Sequence, residues 1–451
     1  MALDLSSSKI FIAFFSLASL FISDPVRAGL KEPLLINQIV IDPQNPKIVY
    51  AAARPQGVLK STDRGTSWFP ARHGLMNTSV YHFAVNPNNP KVLYLGTFGG
   101  GVYKSENAAE DWFEVNNGLG NTNIHALVLN PLQPDRLLVS TSTGELFQSD
   151  DAGKNWKPFN EGLPSFPGEV ISTLLVFPKS PGGFYLAQGG LFRRPFSSQA
   201  WQAVIGNLPD EVVTALAYDA SSRAFYAGTM SHGLFKAPLD SEGVNTDPTA
   251  IRSALSWKPI GTPFQQQQIR LIVKDPGRAA TLYASVVNRG LFKSSDGGTT
   301  WEAINSGFPS LEVESLAIDP ENSQFLYAGT HNDGIFISQD GGNTWKPPAK
   351  VEVEPLMQII ASLTQQPSSD NSKAFPMAPP PFFFKCNKCH GWADAVLNQK
   401  ATYWRVSPNQ RNWQSTVQRM SPGAGLTPGE QEEVIRFLTV YGRHRSETAK
   451  P

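Results

Sequence analysis

The chain has 451 residues, and its 38 Lys and Arg cancel 38 Asp and Glu, so no net field favours nucleic acid or an anionic membrane surface. The length allows two or three domains, and 37 Gly with 36 Pro against 17% charged residues disfavours long helices and fits an all-β protein rich in turns. Hydrophobic residues at 41% and aromatics at 11% exclude bulk disorder, and two cysteines exclude a disulfide-rich scaffold.

The N-terminus carries Lys9, thirteen mostly apolar residues over 10–22, and a polar stretch ending Val26-Arg27-Ala28. Thirteen residues fall short of the roughly 20 that a membrane helix needs. The pattern is that of an export signal over 1–28, with a mature chain starting at Gly29. No cysteine near the cleavage point offers a lipid anchor, and no other stretch reads as a membrane span, so the protein is expected not to be integral to a membrane.

Seven tryptophans then set a period. Trp68, Trp112, Trp156, Trp201, Trp257, Trp301 and Trp345 are spaced by 44, 44, 45, 56, 44 and 44 residues. In each unit an apolar alternating run ends near Asp/Asn-Pro, as at Asp42-Pro43 and Asn86-Pro87. A second run surrounds a Tyr, often followed by Ala-Gly-Thr. A third reads Gly-Leu-Phe-Lys, as at 233–236 and 290–293, and the Trp opens a fourth. Four short strands with tight turns fill about 44 residues. One such sheet cannot bury both faces alone, so seven units predict a seven-bladed β-propeller over 34–348.

Ahead of the Trp stands Ser-x-Asp-x-Gly-x-Thr/Ser-Trp, intact at 61–68, 294–301 and 338–345, reduced at 149–156, degraded at 105–112 and lost in units four and five. The motif resembles the Asp-box (BNR) repeat of sialidases, sortilin-type receptors, some glucanases and photosystem II assembly factors. Its chemistry is local: a carboxylate accepts turn amides, Gly takes positive φ, and Trp covers the hairpin base. It therefore predicts fold and not activity.

No catalytic residue is assigned within the propeller. Phe192-Arg193-Arg194-Pro195 matches a sialidase pattern but sits in the wrong strand. Glu312 and Glu314 read as solvated loop charges without an identifiable second carboxylate. The histidines at 73, 82, 125, 232 and 331 occupy different repeat positions and form no metal-ligand spacing. The insertion over 238–254 is a candidate recognition loop. A glycan or small molecule on the propeller face stays open.

After Trp345 the repeat ends, and 349–381, with Pro379-Pro380-Pro381, reads as a linker. Next comes Cys386-Asn387-Lys388-Cys389-His390, which uses both cysteines of the protein. Two thiols two residues apart suit thioether attachment of a haem c, with the following imidazole as an axial ligand. A redox pair would not require His390, and a zinc half-site would need two more ligands nearby, where only His444 is available beyond His390. Trp413, Thr416, Val417 and Met420 share one helical face, broken by Pro422-Gly423, which makes Met420 the candidate second axial ligand; His444 is the runner-up. Thr427, Pro428 and Glu430 open a last amphipathic helix that Gly442 closes.

This segment, 382–445, resembles a small all-α, monohaem, class I-type cytochrome c. The resemblance implies covalent haem on Cys386 and Cys389, iron held by His390 and Met420, and a Gram-negative-like periplasm. The function expected is electron transfer, with redox partner proteins docking on the propeller. The alternatives are a propeller-based oxidoreductase or glycan-active enzyme with haem as relay, and a periplasmic assembly or scaffold factor.

Overall fold

The computed structural model describes residues 34–353, apart from 165–170, 178–182, 189, 205, 210–211 and 239–254. It contains seven antiparallel sheets, one per sequence repeat. The first strands of the repeats are Leu35–Ile41, Val80–Val85, Ile124–Leu129, Thr173–Phe177, Val213–Asp219, Ile269–Lys274 and Val313–Ile318. Each touches the next in turn, and the seventh touches the first, so the strands form a closed cycle around an axis. This is the seven-bladed propeller that the repeat period predicts. Blade seven has three regular strands, and a single bridge from Ile337 to Lys346 marks its fourth run.

Burial follows from stacking. Second strands such as Leu93–Thr97 and Leu326–Thr330 are buried at every residue, whereas outermost strands such as Phe113–Glu114 and Lys157–Pro158 are exposed. The core is divided into seven apolar clusters, each drawn from two neighbouring blades. The Leu34, Ile36 and Trp68 cluster includes Tyr327, Ile335 and Ile337, so blade one is sealed against blade seven.

Each repeat motif has an identifiable bond. The Asp or Asn of Asp/Asn-Pro caps the turn between strands one and two: Asp42 Oδ1 accepts from the amides of Gln44 and Asn45 at 2.8 and 3.1 Å. The Gly of Ala-Gly-Thr leaves room for the next blade, since a Cβ on Gly228 would lie 2.6 Å from Ile269 and one on Gly329 would lie 2.5 Å from Ile36. The Thr donates to the turn after it, as Thr330 Oγ1 does to Gly334 O at 2.9 Å. In the box, Ser61 Oγ donates to Asp63 Oδ1 at 2.8 Å and accepts from Gly65 N at 2.8 Å, while Asp63 Oδ1 accepts from Ser67 N at 2.8 Å. In four repeats the Trp indole then pins the preceding blade, as Trp112, Trp156, Trp201 and Trp345 donate to Ala71, Val115, Phe159 and Ile304 carbonyls at 2.7–2.9 Å, whereas Trp68 and Trp301 donate to Gly65 O and Gly298 O of their own boxes.

The Tyr of strand two and the Lys of strand three act together on the next blade. Tyr50 Oη and Lys60 Nζ both donate to Ala108 O, at 3.4 and 2.7 Å. Lys236 and Lys293 reach the carbonyls of Gly297 and Gly341 at 3.1 and 3.0 Å, beside Tyr226 and Tyr283. Every one of these acceptors lies in a box.

The ring closes by a route the sequence left open. Lys350–Val351, at the start of the stretch read as linker, runs parallel to Ser67–Pro70 as a fifth strand on blade one. Its bonds are Lys350 N to Thr66 O at 3.2 Å and Glu352 N to Trp68 O at 2.8 Å. Leu34 pairs with blade seven across the seam, through Leu34 N to Asn332 O and Gly334 N to Leu34 O, both at 3.1 Å.

Candidate functional site

The propeller has two unlike faces. One carries the Asp/Asn-Pro turns and the boxes, which bond to each other within a blade, as Ala108 N does to Lys91 O and Ala152 N to Asp135 O, both at 2.9 Å. The opposite face carries the turns between strands two and three and the connections from one blade to the next. There the innermost strands are irregular. The pairing register skips Asn37, Tyr81, His125, Thr214, Arg270 and Glu314, one residue in each of six blades. Ser172 is the corresponding residue of blade four.

A bulge re-aims the extra side chain, and here it points at the next blade. Asn37 Nδ2 donates to Val80 O at 2.7 Å and His125 Nδ1 to Ile171 O at 2.9 Å. The hydroxyls of Ser172 and Thr214 donate to Val213 O and Ile269 O. Ser285 and Ser315 do the same for Val313 O and Ile36 O, at 2.7 and 3.3 Å. The result is a belt of neutral hydrogen bonds around the axis that satisfies backbone groups which bulging leaves unpaired.

Charge enters this belt at blades six and seven. Arg270 pairs with Glu314 through Nη1 and Oε2, and Glu314 Oε1 lies 2.9 Å from His331 Nδ1. The Glu314 side chain is only 12% exposed, against 35% for Arg270 and 43% for His331. Glu314 is therefore not the solvated loop charge that the sequence suggested. It is a strand residue whose two oxygens are engaged by two nitrogenous partners. At the seam of blades one and two, Arg54 stacks on Tyr81 with its guanidinium carbon 4.6 Å from the ring centroid and bonds the phenol oxygen. Between blades two and three, burial holds the half-buried His82 imidazole down to about 4, with His125 adding to the effect, so His82 is neutral at physiological pH.

The box acids are held as structural anions. Asp151 is drawn down to about 2 by the side chain and amide of Asn155, and Asp296 to about 2 by the hydroxyl and amide of Thr300. Burial opposes the same shift in Asp63 and Asp340, but hydrogen bonds from Ser67 and Thr344 outweigh it. The sialidase-like tetrapeptide is also structural: Arg194 lies 3.6 Å over the Phe159 ring and donates to Ser198 O at 3.3 Å.

The sequence-assigned haem residues, Cys386, Cys389, His390 and Met420, lie outside the described residues, as do the runner-up His444, the signal segment and nearly all of the 238–254 insertion. Among the described residues no three His, Cys, Asp or Glu side chains group as a metal site, and no helix is long and apolar enough to cross a membrane. The belt was missed in the sequence. A polar residue recurs five positions before the Asp or Asn of the corner, and aligning the repeats on that corner would have exposed it.

No family model and no curated protein matches the sequence. Solved structures do match. The GH74 xyloglucanase from Xanthomonas campestris is 17% identical with a TM-score of 0.54, over 70% of this chain and 54% of its own. The Niastella koreensis GH74 enzyme is 17% identical with a TM-score of 0.57, over 71% and 55%. YCF48 from Cyanidioschyzon merolae is 15% identical with a TM-score of 0.52, over 69% and 96%. The chain thus spans about half the length of the two GH74 proteins. At these identities the likeness is one of fold alone, and what it adds is that this blade arrangement is built in a glycosidase family and in YCF48 alike.

Proposed function

We propose that this chain is an exported c-type cytochrome in which the propeller is the docking platform and residues 382–445 carry the redox group. The observation that carries the reading is Cys386-Asn387-Lys388-Cys389-His390: both cysteines of a 451-residue chain fall in one motif, behind an export-type N-terminus. The donor set fits the group. The thiols of Cys386 and Cys389 would form its two thioethers, and the imidazole of His390 and the thioether sulfur of Met420 would hold its iron. Once bound, the haem would supply a one-electron couple suited to electron transfer. Trp392, Trp404 and Trp413, the three tryptophans outside the repeat, would exclude water from it. Export supports the same reading, because covalent haem of this kind matures outside the cytoplasm, and the periplasm is the compartment proposed.

The propeller suits a platform because its acids serve its own fold. Asp63, Asp151, Asp296 and Asp340 hold box turns, and Glu314 has both oxygens occupied. The test is the mass and reduced pyridine haemochrome spectrum of the exported protein, made where c-type maturation operates. One covalent haem per chain is expected, lost in Cys389→Ala. A mature chain with the mass of its bare polypeptide would overturn the reading.

A further inference from the structure

The path of the closing strand fixes where the chain goes next. Ser67–Pro70 begins at the box face and leads into the 71–79 connection on the bulge face. Lys350–Val351 runs parallel to it, with Lys350 beside Ser67 and Val351 beside Trp68. The chain therefore leaves Val353 at the outer edge of blade one, directed at the bulge face. Residues 354–381 follow, and a coil of that length spans roughly 30 Å. Whatever begins at 382 is tethered to the bulge-face rim around blade one, at an effective concentration on the order of millimolar.

That rim is unlike the box face. Of the exposed large apolar residues, Met76 (45%), Leu311 (40%), Val212 and Met230 lie on the bulge face, whereas Leu132 and Phe196 lie on the other. Met76 and Leu311 lie on either side of blade one, in the connections leading into blades two and seven. Leu311 follows Ser310, whose hydroxyl donates to Asp333 Oδ2 at 2.6 Å, and Asp333 bridges to Leu34 at the start of blade one. Glu312 and Asp333 place acids beside Leu311. The tethered segment complements both features: it opens with Phe382-Phe383-Phe384, and over 382–445 it carries nine Lys and Arg against four Asp and Glu.

We infer that residues 382–445 dock in cis on the bulge face where blades seven, one and two adjoin, against Met76, Leu311, Glu312 and Asp333. The propeller then holds its own redox segment beside the charged mouth formed by Arg54, Arg270, Glu314 and His331, and leaves the box face free. This extends the cytochrome reading and rests on it only for what the segment carries, not for where the segment sits.

The test uses the exported full-length protein with p-benzoylphenylalanine placed singly at position 76, 311 or, as a control on the box face, 132. Irradiation at 76 and 311 is expected to give cross-links at monomer mass to peptides from 382–445, and irradiation at 132 to give none. Absence of such links from 76 and 311, equal links from 132, or links that join two chains would each overturn the docking. Haem content is measured by mass on the same samples. Haem-free protein with the expected links removes the cytochrome and keeps the docking, and haem-loaded protein without them does the reverse.

Discussion

Six seams of the ring join blades that follow one another in the chain, and one joins its two ends. The regular seams are built by repetition. Where the next blade has a box, a Tyr and a Lys reach for it, as Tyr50 and Lys60 do for Ala108, and Tyr94 does for Ala152 at 3.1 Å. Where the next blade has lost its box, the pair is changed too: blade three has Leu138 and Gln148 instead, and in blade four Tyr185 turns to Arg193. The closing seam has an intact box in blade one and a Tyr in blade seven, yet Ile337 replaces the Lys and the Tyr327 hydroxyl is buried without a partner. Its stability comes instead from the closing strand, the Leu34 bridge and an ion pair from Arg64 to Asp319 at 3.4 Å. A motif repeated in sequence thus does its bonding between repeats, and a ring needs one seam with its own chemistry.

Arg64 is the sharpest point of that contrast. The same box position holds Ala108 in blade two and Ala152 in blade three, all three at φ of 58–61°. Arg64→Ala therefore installs a residue that the regular seams tolerate with no change of backbone. At the closing seam it would remove the guanidinium held 3.4 Å from the fully buried Asp319 Oδ2, an oxygen that accepts no hydrogen bond and so relies on that charge, while the other carboxylate oxygen serves the Glu321 and Asn322 amides. Losing one partner of a buried pair costs up to about 3–5 kcal/mol, and the one-third exposure of Arg64 reduces this to about 2 kcal/mol. Urea unfolding should show that loss, and Arg64→Ala combined with Asp319→Asn should recover most of it. An unchanged midpoint for Arg64→Ala would mean that the strand and the Leu34 bridge close the ring alone.

The two tyrosines give the next test. Burial pushes the Tyr94 phenol up, so it stays a donor to Ala152 O. Tyr94→Phe should cost about 1 kcal/mol, the usual net worth of such a bond. Tyr327→Phe removes a buried hydroxyl that has no partner and should be neutral or slightly stabilising. Equal losses in the two variants, read from the same unfolding curves, would erase the distinction between the seams.

The seven-fold architecture was legible because Trp spacing and the Asp/Asn-Pro corners are local and repeat at fixed intervals. The role of the box was legible for the same reason, since Asp63 answers to Ser61 and Ser67 within a few residues. The closing strand was not, because two residues, Lys350 and Val351, carry no periodicity and their partners lie far back in the chain at Ser67 and Trp68. Glu314 was misread for a related reason. In sequence it looks like one of two acids entering a strand, and only the skipped register opposite Thr330 and Gly329 aims it at Arg270 and His331. Bulges are set by pairing across strands, which a single repeat read alone does not display.

The smallest effect separates blade two from blade three. Asn107 takes the place of the box Asp in blade two and still accepts from Asp111 N at 2.9 Å, as Asp151 does from Asn155 N at 2.9 Å. At this position only blade three gains a proton-linked contribution; in blade two the depressed acid of the box is Asp111, held down by hydrogen bonds from His73 and Asn107. Asp151 is held at about 2 in the folded chain by Asn155, below the ordinary value of about 3.9 for an unfolded Asp. The folded value is the depressed one, so the contribution is fully present above about pH 4 and is lost as pH falls through about 2. Asp151 is open to solvent, so screening keeps the effect below about 1 kcal/mol. Asp151→Asn converts the blade-three box to the blade-two form: it should lower stability slightly at neutral pH and flatten the decline between about pH 4 and 2. If the variant and the parent lose stability in parallel across that window, the carboxylate is acting only as an amide acceptor, and this box position is equivalent in blades two and three in acid as well as in shape.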